Sequence, residues 1–250
     1  MKKFQIFALF FLCFNFATVY STPITQLNSK ALPTIVLNSA VQPPLSTPKQ
    51  DGFLDELAVK IFKKIGYKLI LANLPAERAL RSANSGLIDG ELIRVKGMNN
   101  IYTNLIQIPE SLITLKFVAF AKTKVNLSSG WDALKNKEIA FITGWKIYEK
   151  NVPKTASITK TSNYHELFTL LQKNRTDLAL FSLYSGYYAI DELKINNVKP
   201  LVPELAEKKM FMYLNKKYKL IVPKIAKVLA KMKSDGSYNK LAAKHLLSLE

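Results

Sequence analysis

Apolar positions along this chain recur at two spacings, and the two alternate. Leu32 to Asn38 is a short, mostly apolar run that predicts a strand. A loop follows over 40–52, with Pro43, Pro44 and Pro48. Leu54, Leu57, Ala58, Ile61, Phe62 and Ile65 then repeat at offsets of three and four, which predicts an amphipathic helix ended by Gly66. Tyr67 to Leu71 reads as a second strand. Pro75 opens a second helix, with Ala79, Leu80 and Ala83 on one face and Gly86 at its end. Ile88 to Val95 is the third strand. This β-α-β-α-β order predicts a parallel sheet with right-handed crossovers.

A second set follows. Leu112 to Lys122 is a long extended segment, with Ile113, Leu115, Phe117, Ala119 and Ala121 on one face. Glu138 to Thr143 is a strand ending in Gly144-Trp145. Tyr164, Leu167, Phe168 and Leu171 mark a helix, Thr176 to Ser182 a strand, and Ser185 to Leu193 another helix. Lys208 to Leu214 reads as a further strand. Val222, Ile225, Ala226, Leu229 and Met232 form a helical stripe, and Asp235-Gly236 separates it from a last helix through Leu247. Two α/β units and a helical tail predict two lobes with a ligand between them, because clefts between domains are favoured binding sites.

The amino terminus carries Lys2 and Lys3, then an apolar run from Phe4 to Phe16 interrupted by Gln5 and Asn15. Val19-Tyr20-Ser21 has small residues at the spacing of a cleavage site, so residues 1–21 read as a signal peptide cut after Ser21. A retained anchor is the alternative. Cys13, the single cysteine, lies inside that run, so the mature chain has no disulfide and relies on its core. Losing two lysines with the signal lowers the formal charge from +18 to +16. That excess suits anionic ligands, nucleic acid or an anionic membrane. The lysines are scattered, and between Lys208 and Lys244 they interleave with a helical apolar pattern, which argues against a nucleic-acid groove.

Arginine is distributed differently. Three of the four arginines, Arg78, Arg81 and Arg94, fall in one short window. A guanidinium grips a carboxylate or phosphate at two points, as an ammonium cannot. Arg94 ends the third strand, and ligands of open α/β sheets bind beyond the strands' carboxyl ends. Arg94 and Arg78 are therefore the leading anion-binding candidates. Glu77 either orients an arginine, contacts a ligand or pairs with Arg81 four residues on. Glu91 falls inside a strand and needs a partner if buried, so a structural ion pair with a nearby arginine rivals ligand binding. Trp145 can stack on a ligand or pack between lobes, and Tyr184 is similar. Glu110 either faces the cleft or ends a strand. Enzyme signals are weak. His165 and His245 lack metal-ligand spacing. Ser46-Thr-Pro-Lys49 and Ser157-Ile-Thr-Lys160 match a Ser-x-x-Lys pattern that chance supplies often in a lysine-rich chain. No cofactor or metal is expected.

Several segments together resemble the family 3 extracellular solute-binding proteins, the small periplasmic receptors typified by amino-acid transport. Pro43-Pro44, Gly52-Phe-Leu-Asp-Glu-Leu-Ala58 and Ile65-Gly-Tyr67 are similar to that family's opening. Ala76-Glu-Arg-Ala-Leu80, Ser85-Gly-Leu-Ile-Asp-Gly90, Ile108-Pro-Glu-Ser-Leu112, Trp131-Asp-Ala-Leu-Lys135, Arg175-Thr-Asp-Leu-Ala179 and Met232-Lys-Ser-Asp-Gly-Ser-Tyr238 extend the match. The resemblance implies an α/β, two-lobed periplasmic-binding-protein-like fold (type II), closing by hinge motion on a small ligand. Lobe 1 would be 30–112 plus 198–250 and lobe 2 113–197, with crossings near 110–114 and 195–200. It places Ser182 where amino-acid-binding members carry an acidic residue. Gly144-Trp145 replaces the usual Gly-Thr or Gly-Ser, and Arg94 precedes the usual arginine position. These departures weigh against an ordinary α-amino acid and leave the receptor fold intact. The expected protein is a periplasmic monomer that passes a small polar, anionic solute to an inner-membrane ABC permease or a sensor. The alternatives are a dehydratase-like enzyme acting on a small cyclic acid, with Glu77 and Glu91 or Glu110 as acid and base, and a basic surface-binding protein with no small ligand.

Overall fold

The computed structural model describes residues 31–246, so the expected cleavage site and the apolar run before it lie outside the described residues. The chain begins β1 (Thr34–Asn38), α1 (Phe53–Lys64), β2 (Lys68–Ala72), α2 (Ala76–Ser85), β3 (Gly90–Val95) and β4 (Leu105–Gln107). It continues with β5 (Ile113–Ala121), β6 (Glu138–Ile142), α3 (Lys146–Asn151), β7 (Ser157–Thr161), α4 (Tyr164–Gln172), β8 (Leu178–Ser182) and α5 (Leu183–Glu192). It closes with β9 (Lys199–Pro200), β10 (Ala206–Asn215), α6 (Val222–Ser234) and α7 (Ser237–Leu246).

The periodicities found their elements. The three-and-four stripe of α1 is buried from Phe53 to Phe62. Gly86 ends α2 at φ 85°, a left-handed cap that costs glycine little. Other elements carried no such pattern. β7 is exposed at four of its five positions, β4 has three residues, and α3 has six with one fully buried, Tyr148. Ser157-Ile-Thr-Lys160 lies in β7. Ser46 of the other such match donates to buried Asp55 (2.6 Å), which also accepts from the Thr47 and Gly52 amides and so knits the loop before α1.

β1 lies between β2 and β3, all parallel. β6 lies between β7 and β8, also parallel. Two antiparallel strands, β5 and β10, join these sets in one hydrogen-bonded path, β2-β1-β3-β10-β5-β8-β6-β7. β10 changes partner along its length. Ala206 to Met210 pair with β5, and Met210 to Leu214 pair with β3. Before β10 the chain runs back along β5, where Leu201 and Leu205 donate to the Ala119 and Phe117 carbonyls (2.8 and 2.9 Å). Residues 199–205 thus lie beside β5, and β10 then pairs with β5 and β3 in turn. α6 and α7 pack on α1, where Glu56 takes both Lys244 and His245 and Tyr238 sits edge-on to Phe53 at 5.4 Å.

The β3–β10 contact leaves no room for a side chain at Gly90, where a Cβ would stand 2.1 Å from the Tyr213 carbonyl oxygen. Gly90→Ala should therefore lower unfolding stability by at least about 1–3 kcal/mol, the usual cost of overpacking. Denaturant titration checks this, and an unchanged midpoint would show that the two strands part easily.

Candidate functional site

The carboxyl end of β1 and the stretch of β3 from Glu91 to Arg94 bring a polar cluster together beneath the start of α2. Asn38 and Glu91 are level in the parallel register, and both are fully buried. Asn38 Oδ1 accepts from the Leu74 amide (2.7 Å), tying β1 to the turn before α2, and its Nδ2 donates to Glu91 Oε2 (3.4 Å). The same Oε2 accepts from Arg94 Nε (2.9 Å) and Nη2 (2.8 Å). The rival reading of Arg94 is thus realised in part: one edge of its fork holds Glu91. Two buried oxygens at this edge, Ser39 Oγ and Glu91 Oε1, have no hydrogen-bond partner among the described residues. A buried polar atom without a partner is costly, so such atoms mark where water or a solute belongs. Burial pushes the Glu91 carboxyl up to about 7 and outweighs the pull of Arg94.

Glu77, in the first turn of α2, accepts from the Tyr102 hydroxyl (3.1 Å) and from Arg81 (3.2 Å). The Tyr102 bond and then Arg81 hold its carboxyl below the usual range, against some desolvation. The Glu77–Arg81 pair is exposed and contributes roughly 0.2–0.5 kcal/mol. Arg94 also acts on Tyr102, so Arg94, Tyr102 and Glu77 form one charged neighbourhood. Arg78 lies outside it, exposed on a shallow solvent-open groove of about 480 Å³ along α2, shared with Arg81, Ser82 and Leu87. Tyr213 braces the loop after β3. Its hydroxyl lies 2.8 Å from the Val95 carbonyl and 2.7 Å from Gln107 Oε1, and it accepts from the Met98 amide.

The carboxyl ends of β6 and β8 face the same region. Trp145 starts α3 and stacks on Tyr148 (centroids 5.7 Å) and Phe181 (4.9 Å), so most of its ring serves packing. Lys146, which the sequence reading passed over, is close enough to Glu77 for each charge to act on the other. Glu149 pairs with Lys146 (2.9 Å) and Lys160 (3.4 Å) and accepts from the Gly144 amide (3.1 Å). Ser182 is buried at the end of β8, opposite Phe117. Tyr184 is half-buried just beyond it, and Ser185 Oγ donates to the Gln42 carbonyl (3.4 Å), linking α5 to the loop after β1. Glu110 lies apart, held by Lys233 of α6 at 2.6 Å. Tyr102, Ser39 and Lys146 carried no local signal except that Ser39 and Lys146 follow strand ends. Among the described residues no cluster of His, Cys, Asp and Glu could hold a metal, and no helix is long and apolar enough to cross a membrane.

This arrangement, strand ends of two parallel sets converging across a pair of antiparallel strands, is the fold of the two-lobed periplasmic binding proteins. The ligand-binding core of GluR0 in complex with L-glutamate superposes with a TM-score of 0.73 at 15% identity, covering 86% of this chain and 98% of that one. The substrate binding protein of an amino acid ABC transporter gives 0.68 at 22% identity, covering 85% and 98%. A histidine kinase sensor domain with similarity to periplasmic binding proteins gives 0.69 at 18%, covering 85% and 96%. In sequence, the chain is 24% identical over 201 residues to an uncharacterized protein of Shewanella oneidensis, covering 75% of this chain and 73% of that protein. No protein-family profile matches.

Glu91 holds its proton more tightly folded, near 7, than unfolded, near 4.5. Its contribution to stability is therefore full below about pH 4.5 and lost as pH rises through about 7. Compared with Glu91→Gln, which does not titrate, the natural protein should lose up to on the order of 3 kcal/mol across that window. Denaturant curves at several pH values measure it. Parallel pH profiles for the two proteins would mean that Arg94 keeps Glu91 ionised throughout.

Proposed function

We propose that the protein is an exported receptor that captures a small polar, anionic solute between two lobes and presents it to an inner-membrane ABC-type transporter or to a sensor. The observation that carries this reading is the Arg94 guanidinium, fixed by buried Glu91 at the strand ends beside two unpartnered buried oxygens. The named side chains around it comprise four cations (Arg81, Arg94, Lys146, Lys160) and three carboxylates (Glu77, Glu91, Glu149), a balance that favours an anion. The folds of an ABC substrate-binding protein and of a kinase sensor domain support the two destinations equally.

The proposed lobes are 30–112 with 198–250, and 113–197. The pairing of residues 199–205 with β5 argues for moving the second boundary to the start of β10. Arg94, Glu77, Tyr102 and Ser39 would contact solute from the first lobe, and Lys146, Ser182 and Tyr184 from the second. Trp145 would form a wall and Arg78 an outer rim. Glu110 is left out because Lys233 occupies it. The proposed mature form is a periplasmic monomer.

One observation favours a second reading, the dehydratase-like enzyme on the same fold. Burial brings the Glu91 carboxyl near neutrality, where a general acid or base works best. Against it, Glu91 is fully buried and committed to Arg94 and Asn38, and Glu110 is paired elsewhere.

A thermal-shift screen over organic acids, amino acids and short peptides should find a stabilising anion, by about 2.7 kcal/mol at 100 times its dissociation constant. Arg94→Lys should weaken that anion's binding roughly ten- to a hundred-fold, because the ammonium cannot reproduce the planar fork. The ligand-free variant should also melt earlier, since Glu91 loses a two-point partner. Unchanged affinity would remove Arg94 from the site, and turnover of the stabilising compound would favour the enzyme.

A further inference from the structure

The end of the first parallel set opposite the candidate site has a different chemistry. It is formed by the amino-terminal ends of β1 and β2, by the turn from α2 into β3 and by the turn that links β10 to α6. The Lys68 amide donates to the Pro33 carbonyl, so β1 and β2 start level, and the Asp89 amide donates to the Val36 carbonyl, so the turn leading into β3 runs beside the first half of β1. Lys217 then joins the turn after β10 to the same end through Asp89 (2.7 Å) and the Gly86 carbonyl (3.1 Å). Three leucines stand out from this end. Leu87 is 83% exposed, Leu220 78% and Leu32 50%. Lys64, Lys68, Lys216, Lys219 and Lys224 surround them, all exposed, and none is ion-paired among the described residues. Lys64 and Lys224, with Lys227, Lys231, Ile65 and Val228, also line a basic groove that continues from this end along α6. Two carboxylates come near: Asp89 is mostly buried and already held by Lys217, and the exposed Asp235 lies within electrostatic reach of Lys64 and Lys231 at the groove's far end.

Exposed apolar tips set in unpaired lysines match an interface of anionic headgroups. The leucines gain from leaving water, and each lysine near such a surface gains about 1 kcal/mol. A soluble acidic partner would account for the lysines and not for three separate leucines pointing outward. We propose that this pole docks on an anionic phospholipid surface, with Leu32, Leu87 and Leu220 entering the headgroup layer and the surrounding lysines on the phosphates. The opposite pole, with Arg94 and the strand ends, would then face away from the bilayer. The docking is independent of whether a solute binds.

Co-sedimentation of the purified exported protein with vesicles tests this. It should pellet with phosphatidylcholine vesicles that contain phosphatidylglycerol and not with phosphatidylcholine alone, and added salt should release it. Lys219→Glu/Lys224→Glu should weaken binding by about fivefold or more for each lysine. Leu87→Ser/Leu220→Ser should weaken it several-fold at unchanged charge. Lys154→Glu/Lys173→Glu, on the other parallel set, should leave it intact. The proposal fails if phosphatidylglycerol makes no difference, if both charge variants lose binding equally, or if the leucine variant binds as tightly as the natural protein. It also fails if polyglutamate binds in place of vesicles with the same lysine dependence, which would indicate an acidic polypeptide.

Discussion

The backbone ladder of β10 is the constraint on which the rest of the molecule depends. Ala206 to Met210 belong to β5 and Met210 to Leu214 to β3, with Met210 shared between them. Each parallel set has its own hydrophobic contacts, yet the two become one sheet only through this strand and its neighbour β5. The register irregularity between Phe211 and Tyr213 falls where β10 has just left β5. Irregular pairing adds local twist, so the relative orientation of the two sets is determined by a few residues. The glycine at the start of β3 lets the ladder close. Tyr213, on the same strand, braces the loop that carries Arg94 and Tyr102 towards the strand ends. Strand pairing and site geometry are thus one problem in this chain.

A buried ion pair is weak evidence for stability, because desolvation offsets most of the attraction. The Glu91–Arg94 pair is better understood as positioning. Two guanidinium donors converge on a single carboxylate oxygen, and Asn38 approaches that oxygen while anchoring the turn before α2. Such a cluster prevents the arginine from adopting its many solvent rotamers. It also leaves the second carboxylate oxygen and the Ser39 hydroxyl unsatisfied inside the protein. A fold that served stability alone could place apolar groups there at less cost. The same desolvation that would make the pair a poor stabiliser makes it sensitive to any anion brought alongside, since the local dielectric screens little.

Much of this was legible beforehand, for identifiable reasons. Helices α1 and α6 and strands β1, β3, β5 and β8 are amphipathic or wholly apolar, so burial wrote their period into the sequence. β7 could not be read, because an exposed edge strand of Ser, Ile, Thr and Lys has no buried face to enforce alternation. α3 could not, because six residues make fewer than two turns, too few for an apolar stripe to repeat. At the site, the rarity of arginine pointed to Arg94, and the strand position of Glu91 pointed to its partner. What stayed hidden was long-range. Glu77, Tyr102 and Lys146 meet from the start of α2, the loop after β3 and the start of α3, which are far apart in sequence. Glu110 looked available because its partner, Lys233, lies more than a hundred residues later, in a helix whose other lysines face solvent.

The two poles of the first parallel set show how one excess of charge can serve different purposes. At the carboxyl ends of the strands, cations and carboxylates alternate at hydrogen-bond distance, so the field there varies over a few ångströms and distinguishes ligands by shape. At the amino ends, lysines outnumber the two nearby carboxylates, Asp89 and Asp235, so the field is smoother and reaches about one Debye length, roughly 10 Å. A smooth field attracts any anionic surface without choosing among molecules, whereas an alternating one is nearly invisible at a distance and selective on contact. The formal charge of +18 is therefore a poor guide to what the protein recognises. The informative quantity is how each lysine is matched. Those bound to Glu110, Asp89 and Glu56 are spent on the fold, and the unpaired remainder determine which side of the molecule meets a charged surface.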